Sequence, residues 1–342
     1  MPWLVIQFVA LAAAVATAGT FLARSADRIA AATGLGRLFV GSVLLAAATS
    51  LPELSVDIAA VRGGMLDLAA GDLLGSSLMN LLILAGVDLA QRSGRRMLSR
   101  EAASHALSAT LSIALTALVA MAVLTAGQLP PLTVLGVGGW SWAILVAWML
   151  GARMLFIDQR ISVRAALEVE AIPPREPELP AATGKRPGLL LPAAVFLAAA
   201  IVLVVTGPRL AYVADRLATE SGWGRTFVGT TLVAVTTSLP ELVASIAAVR
   251  MGAFDLAIGN TFGSNAFNMI MFVPLDFVHA GPLFTAVSPV HAVTALAVIV
   301  ATAIAVLGQL YHEEKRIPVV EPDALLVFLV VIGGLVMVYR LS

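Results

Sequence analysis

Cysteine is absent from the 342 residues, which removes disulfides, thiolate metal sites and thiol nucleophiles together. Charge is scarce: 12% of residues are charged, and 21 basic against 21 acidic side chains give a formal net charge of zero. That balance implies no polyelectrolyte partner and argues against nucleic acid. No Walker sequence occurs, so ATP-driven pumping has no support. The four histidines, at 105, 279, 291 and 312, never stand at the H-x-x-x-H spacing of a helical metal site.

What the chain has in quantity is apolar surface. Hydrophobic residues make up 59% of it and the mean hydropathy is +0.95, far outside the range of a soluble globular domain. Apolar stretches of about 20 residues recur from end to end, each long enough to cross a hydrocarbon core as a helix. A helix satisfies its own backbone groups in lipid. A membrane β-barrel needs short alternating segments, and runs such as Leu111–Leu124 do not alternate. Met1–Thr20 lacks a basic n-region and reads as a retained first span, not a cleaved signal peptide. The expectation is an all-α, multi-pass protein of the plasma (inner) membrane, with the lipid bilayer as partner and no obligatory protein partner evident.

Apolar runs between charged or Pro/Gly punctuation predict ten transmembrane helices, at 3–23, 36–61, 66–89, 103–126, 132–156, 189–214, 224–249, 254–277, 287–309 and 323–341. The polar stretch 158–188, with Arg160, Arg164, Arg175, Lys185, Arg186 and a Pro-rich run, reads as a linker between halves 1–157 and 189–342. Basic residues in short loops mark the cytoplasmic side. Arg92, Arg95, Arg96 and Arg100, the linker, and Lys315 with Arg316 therefore place the linker in the cytoplasm and both termini outside. Arg209, Arg216 and Arg225 are the discordant charges.

The strongest signal is an internal repeat. Residues 39–80, FVGSVLLAAATSLPELSVDIAAVRGGMLDLAAGDLLGSSLMN, align without gaps to residues 227–268, FVGTTLVAVTTSLPELVASIAAVRMGAFDLAIGNTFGSNAFN, with 24 identities in 42 positions at an offset of 188. The identities include Thr, Ser, Pro, Glu, Arg, Asp, Gly and Asn, so shared hydrophobicity does not produce them. A duplicated lipid-facing helix pair is disfavoured because polar groups facing lipid are costly. Five helices per half is an odd number, so the two copies are expected to cross the bilayer in opposite directions, as inverted-topology repeats. Transporters built this way bind substrate near the midplane on interrupted helices. Pro52 and Pro240 are expected to supply the interruptions, each clashing with the carbonyl four residues earlier, at Ala48 and Thr236.

Thr49, Ser50 and Glu53 in one copy, and Thr237, Ser238 and Glu241 in the other, set hydroxyls and a carboxylate around each expected break. One helix later, Ser76 and Asn80 share a face, as do Ser264 and Asn268. All are hard oxygen donors, a set that suits Ca²⁺, Na⁺ or Mg²⁺ and disfavours zinc or copper.

The paired TSLPEL segments, each followed by a GSxxxN element, resemble the two α-repeats of the cation/calcium antiporter superfamily, closest to its sodium/calcium exchanger branch. The resemblance implies an antiporter, not an enzyme, that exchanges Ca²⁺ for Na⁺ by alternating access without a cofactor. Carried across by position, it implies a cation site of Ala46, Thr49, Ser50, Glu53, Ser76 and Asn80 with Ala234, Thr237, Ser238, Glu241, Ser264 and Asn268. For Ala46 and Ala234 the implied ligand is the backbone carbonyl.

One departure stands out. Sodium/calcium exchangers usually carry an aspartate at one of the positions held here by Asn80 and Asn268. The two glutamates alone give the site a charge of −2, which one Ca²⁺ or two monovalent cations neutralise. Burying uncompensated charge is expensive, so weaker Na⁺ binding or H⁺ coupling is the competing expectation. Asp57, whose counterpart is Ser245, either restores negative charge to the site, lies near the water boundary, or pairs with Arg62. Asp72, whose counterpart is Asn260, either lines an access path or caps a helix.

The remaining features have structural readings. Asp67 and Asp255, with Arg62 and Arg250, fit helix-dipole compensation and interface anchoring. Gly71, Gly75, Gly259 and Gly263 fit close helix packing. The histidines sit near helix ends, where solvent or headgroups are the expected surroundings, and Trp3, Trp140, Trp142 and Trp223 fit interfacial belts. Two other functions compete with antiport. An intramembrane hydrolase using the paired acids is disfavoured by the absence of a Ser/His pair at membrane depth. A passive cation channel would move ions without exchange.

Overall fold

The computed structural model describes residues 2–90, 102–128, 130, 132–170, 188–220, 236–310 and 322–341. The helices are α1 (Pro2–Thr33), α2 (Arg37–Phe39), α3 (Ala46–Arg62), α4 (Leu66–Ala90), α5 (Ala102–Thr125), α6 (Gly139–Glu170), α7 (Leu190–Glu220), α8 (Leu239–Arg250), α9 (Phe254–Val278), α10 (His291–Leu310) and α11 (Pro322–Leu341). A π-helical stretch, Val40–Leu45, joins α2 to α3. Among the described residues, seven helices are long and apolar enough to cross a membrane.

Several boundaries differ from the sequence expectation for identifiable reasons. The helix expected from 132 begins at Gly139, because a two-strand hairpin, β1 (Thr133–Val134) and β2 (Val137–Gly138), precedes it. Its turn needs positive φ at both Leu135 (54°) and Gly136 (82°), a conformation that no right-handed helix contains. The helix then runs to Glu170, thirteen residues into the stretch expected as linker, since Ile161–Glu170 holds neither proline nor glycine. Pro52 does not interrupt its helix; it lies inside α3. The irregularity falls earlier, in the π-helical stretch, a feature frequent at functional sites. The second copy does break: Thr236 and Thr237 are helical, Ser238 is a turn, and α8 starts at Leu239 with Pro240 in its first turn, where a missing N–H costs nothing. The basic clusters at 92–100, 175–186 and 315–316, with Trp223, Arg225, Ala234 and His312, lie outside the described residues.

Two apolar clusters bracket a polar layer. One contains Leu22, Val40, Leu45, Ala48, Leu81, Leu84, Leu256 and Ile258; the other contains Ala60, Val61, Leu73, Leu74, Met271, Phe272 and Leu275. The N-terminal part of α4 belongs to the second cluster and its C-terminal part to the first, whereas α9 runs from the first to the second. The two helices therefore cross in opposite directions. Their polar residues, Asp72 to Asn80 and Asn260 to Asn268, fall where the two clusters meet, and all but the half-buried Asp72 are buried.

The 188-residue offset extends beyond the repeats, relating Gly19 to Gly207 and Ala26-Asp27-Arg28 to Ala214-Asp215-Arg216. In space the relation is reciprocal. A Cβ on Gly207 of α7 would stand 2.4 Å from Cβ of Pro52, and one on Gly19 of α1 would stand 3.4 Å from the carbonyl oxygen of Pro240. Each half thus lays the glycine of its first helix against the proline segment of the other.

Two of the histidines, His105 and His291, depart from the sequence expectation too. His105 is buried, and its Nε2 lies 2.9 Å from Asp255 Oδ1; His291 Nε2 lies 3.2 Å from Asp67 Oδ1. Helix starts placed Asp67 and Asp255 in position for dipole compensation, and the packing of α5 on α9 and of α10 on α4 gave each a partner from the opposite half.

Asp276 went unremarked in the sequence. It is fully buried in α9, accepts hydrogen bonds from the Gly138 N–H (2.9 Å) and the Ser141 hydroxyl through Oδ2, and from the Leu283 N–H (2.8 Å) through Oδ1. One carboxylate therefore ties the hairpin and the 283–285 turn to the bundle. Asp276→Asn turns one acceptor into a donor facing those N–H groups and is expected to destabilise the protein by about 2 kcal/mol, the scale of one charged hydrogen bond. Thermal unfolding in detergent is the check, and an unshifted melt would mean that the carboxylate does not hold the hairpin.

Candidate functional site

The polar layer is built where α3 and α4 of one half meet α8 and α9 of the other. Glu53 and Glu241 are each 1% exposed and lie close enough to influence one another electrostatically. The Ser50 hydroxyl donates to Glu241 Oε1 at 3.1 Å, so a hydroxyl from the first copy of TSLPEL holds the glutamate of the second. Thr49 Oγ1 donates to the Ala46 carbonyl (3.2 Å) and lies 3.4 Å from Asn260 Oδ1. Ser76 stands beside Glu53, and Thr237, Ser238, Ser264 and Asn268 are all buried. Of the sequence-predicted residues, only Ala234 falls outside the described chain.

The asparagines show how the layer divides its donors from its acceptors. Asn80 Nδ2 donates to Asn265 Oδ1 (3.0 Å), and Asn268 Nδ2 donates to the Leu73 carbonyl (3.2 Å) and to Ser77 Oγ (3.3 Å). Asn265 in turn donates to the Ser77 carbonyl (3.1 Å). The amide N–H groups are spent tying α4 to α9, while Asn80 Oδ1 and Asn268 Oδ1 accept nothing. The same holds for Glu53 Oε1 and Oε2, Ser76 Oγ, Ser238 Oγ, Glu241 Oε2 and Ser264 Oγ, all sealed from solvent and without hydrogen-bond partners.

Buried polar atoms are normally satisfied, so this concentration of unpaired acceptors calls for something positively charged. All eight are oxygens, the donor type that Ca²⁺ takes. Among the described residues no three His, Cys, Asp or Glu side chains cluster as a metal centre. Hydroxyl and amide oxygens stand beside the carboxylates, a hard-oxygen set that disfavours a transition metal.

Asp57 and Asp72 join the same layer. Asp57 is 1% exposed, with neither carboxylate oxygen hydrogen-bonded; Asp72 is half-buried, with Oδ2 sealed. They interact electrostatically with each other and with Glu53, and Asp72 also with Glu241. Among the described residues none of these four acids takes part in an ion pair, so Asp57 does not pair with Arg62.

Sequence reasoning named Asn260 and Ser245 only as the counterparts of Asp72 and Asp57, and missed Asn265 and Ser77. The repeat offset could have found that pair too, because it relates Asn265 to Ser77. In the second half Asn260 Nδ2 donates to Ser245 Oγ at 3.3 Å, the neutral equivalent of the Asp57–Asp72 contact.

Comparison with known proteins bears on the family and the fold. The family model described as sodium/calcium exchanger protein matches residues 3–157 and 191–338. Inner membrane protein YrbG of Escherichia coli (strain K12) is 31% identical over 262 residues, covering 73% of this chain and 74% of YrbG. The sodium/calcium exchanger MaX1 of Methanosarcina acetivorans is 45% identical over 67 residues, 18% of this chain and 19% of that protein. Among solved structures, the sodium-calcium exchanger NCX_Mj superposes with a TM-score of 0.68 at 16% identity, covering 98% of this chain and 99% of that one; at that identity the likeness speaks for the fold.

Proposed function

Because this chain belongs to the sodium/calcium exchanger protein family, a family of multi-pass membrane transporters and not of enzymes, we propose that it exchanges Ca²⁺ for Na⁺ at the Glu53–Glu241 layer by alternating access. The observation that carries the reading is the Ser50–Glu241 hydrogen bond between copies, set beside the unpartnered carboxylate of Glu53. It joins equivalent ligand sets from both halves around one point, as a site exposed alternately to two sides requires. The site is Ala46, Thr49, Ser50, Glu53, Ser76 and Asn80 with Ala234, Thr237, Ser238, Glu241, Ser264 and Asn268. No cofactor or protein partner has a part in the exchange.

The opposed directions of α4 and α9 and the reciprocal Gly–Pro and His–Asp contacts support ten spanning helices in two inverted five-helix halves, 1–157 and 189–342. We place the protein in the inner membrane, the location named for YrbG, with the linker cytoplasmic and both termini outside. H⁺ is the alternative counter-ion, favoured by asparagine at both 80 and 268, which leaves no acid on the GSxxxN elements.

Ion-replacement flux in proteoliposomes tests the proposal. Ca²⁺ efflux is expected only with Na⁺ on the opposite side. Efflux driven by a proton gradient with no Na⁺ present would replace Na⁺ by H⁺ as counter-ion, and efflux with no opposing cation at all would make the protein a channel.

A further inference from the structure

The central layer holds four acids, not two, and the extra pair breaks the symmetry of the repeat. At the positions related by 188 residues, the second half has Ser245 and Asn260, which satisfy each other through a 3.3 Å hydrogen bond. The first half has Asp57 and Asp72. Asp57 and Asp72 interact with each other; once both are ionised neither has a donor to offer, and they repel until a proton or a metal cation lies between them. Asp57 is 1% exposed and neither of its oxygens accepts a hydrogen bond. Among the described residues no Arg, Lys or His forms an ion pair with either acid. Ionised carboxylates in that position are very costly unless a counter-charge is bound.

We propose that Asp57 and Asp72 form a second cation site, specific for a hard divalent ion, beside the Glu53–Glu241 site. Their combined charge of −2 matches one divalent cation, and their oxygens are the ligands such an ion prefers. Asp72 is half-buried while Asp57 and Glu53 are closed off, which makes this pair the step between water and the central glutamates. With both sites filled, four carboxylates balance two divalent ions. The proposal extends the exchange reading and rests on it, but its ligands are separate and so is its test.

The test is a count of bound ⁴⁵Ca²⁺ per chain by equilibrium dialysis of the purified full-length protein in detergent. The wild type is expected to bind two. Asp57→Ser combined with Asp72→Asn, which installs the pair already present in the other half, is expected to bind one. Glu53→Gln combined with Glu241→Gln is also expected to bind one. If the count is unchanged by Asp57→Ser/Asp72→Asn, or is already one in the wild type, the second site does not exist and the two acids share a proton. If those substitutions remove one ion and the glutamine variants remove none, the second site stands and the central assignment fails. Should the double variant be polydisperse on gel filtration, Asp57→Asn alone decides: an affinity for the second ion weakened at least tenfold supports the site, and an unchanged affinity overturns it.

Discussion

Glu53→Gln is expected to reduce cation exchange by roughly two to three orders of magnitude while the protein remains folded, and Glu241→Gln to do the same. Glutamine keeps the size and one acceptor oxygen of the carboxylate, so packing against the layer is preserved. What is lost is the negative charge. Removing one partner from a buried charge pair costs about 3–5 kcal/mol, and each 1.4 kcal/mol is about tenfold in affinity. The two substitutions should differ in one respect. Glu241 accepts the Ser50 hydroxyl, a bond glutamine can still accept, whereas Glu53 has no hydrogen bond to keep. Glu53→Gln should therefore leave the melting temperature unchanged or raise it, since an uncompensated buried charge has gone. Proteoliposome flux and detergent melts measure the two effects. Normal Ca²⁺ exchange in both variants would show that the glutamates are not the ligands.

The second large effect is expected at Gly263, a residue with no side chain to act as a ligand. A Cβ there would lie 2.4 Å from both Cα and the carbonyl oxygen of Ser42, in the π-helical stretch. These are backbone atoms, so no side-chain rotation relieves the contact and α9 must move away from the stretch that feeds α3. Gly263→Ala is expected to destabilise the protein by about 2–3 kcal/mol, the upper part of the range for overpacking. Because α9 carries Ser264 and Asn268 and α3 carries Thr49, Ser50 and Glu53, the same displacement should weaken Ca²⁺ binding. Ser42→Gly is expected not to rescue it, since the clash is with the chain and not with the hydroxyl. Rescue by Ser42→Gly, or an unshifted melt in Gly263→Ala, would show that the two segments are not in close contact.

Both expectations bear on how much of this protein can be read before it folds. The spans were legible because a helix in lipid must be apolar over a fixed length, and that requirement is written residue by residue. Glu53 and Glu241 were legible because a carboxylate inside such a span is costly enough to need a function, and the repeat doubled the signal. The hairpin at 133–138 was not legible: its residues are apolar enough to pass for helix, and only the positive φ at Leu135 and Gly136 separates the two. Pro52 misled for a related reason. A proline inside a helix removes one hydrogen bond and crowds the carbonyl four residues earlier, yet α3 continues through Pro52, which packs on Gly207 of α7, and the irregularity falls among Val40–Leu45.

The sequence by itself determined a mostly helical membrane chain, a duplicated set of polar side chains and the hard-oxygen chemistry of the layer, because each follows from residue type and spacing along the covalent chain. Only the tertiary structure decided who meets whom: Ser50 with Glu241, His105 with Asp255, Asn80 with Asn265, and Asp57 with Asp72. Most of those partners stand 150 to 191 residues apart, and the helical period fixes the face a side chain occupies but not the helix that will cover it. That second choice belongs to the packing of glycines against backbone, and it brings the acids of two halves into one dry layer.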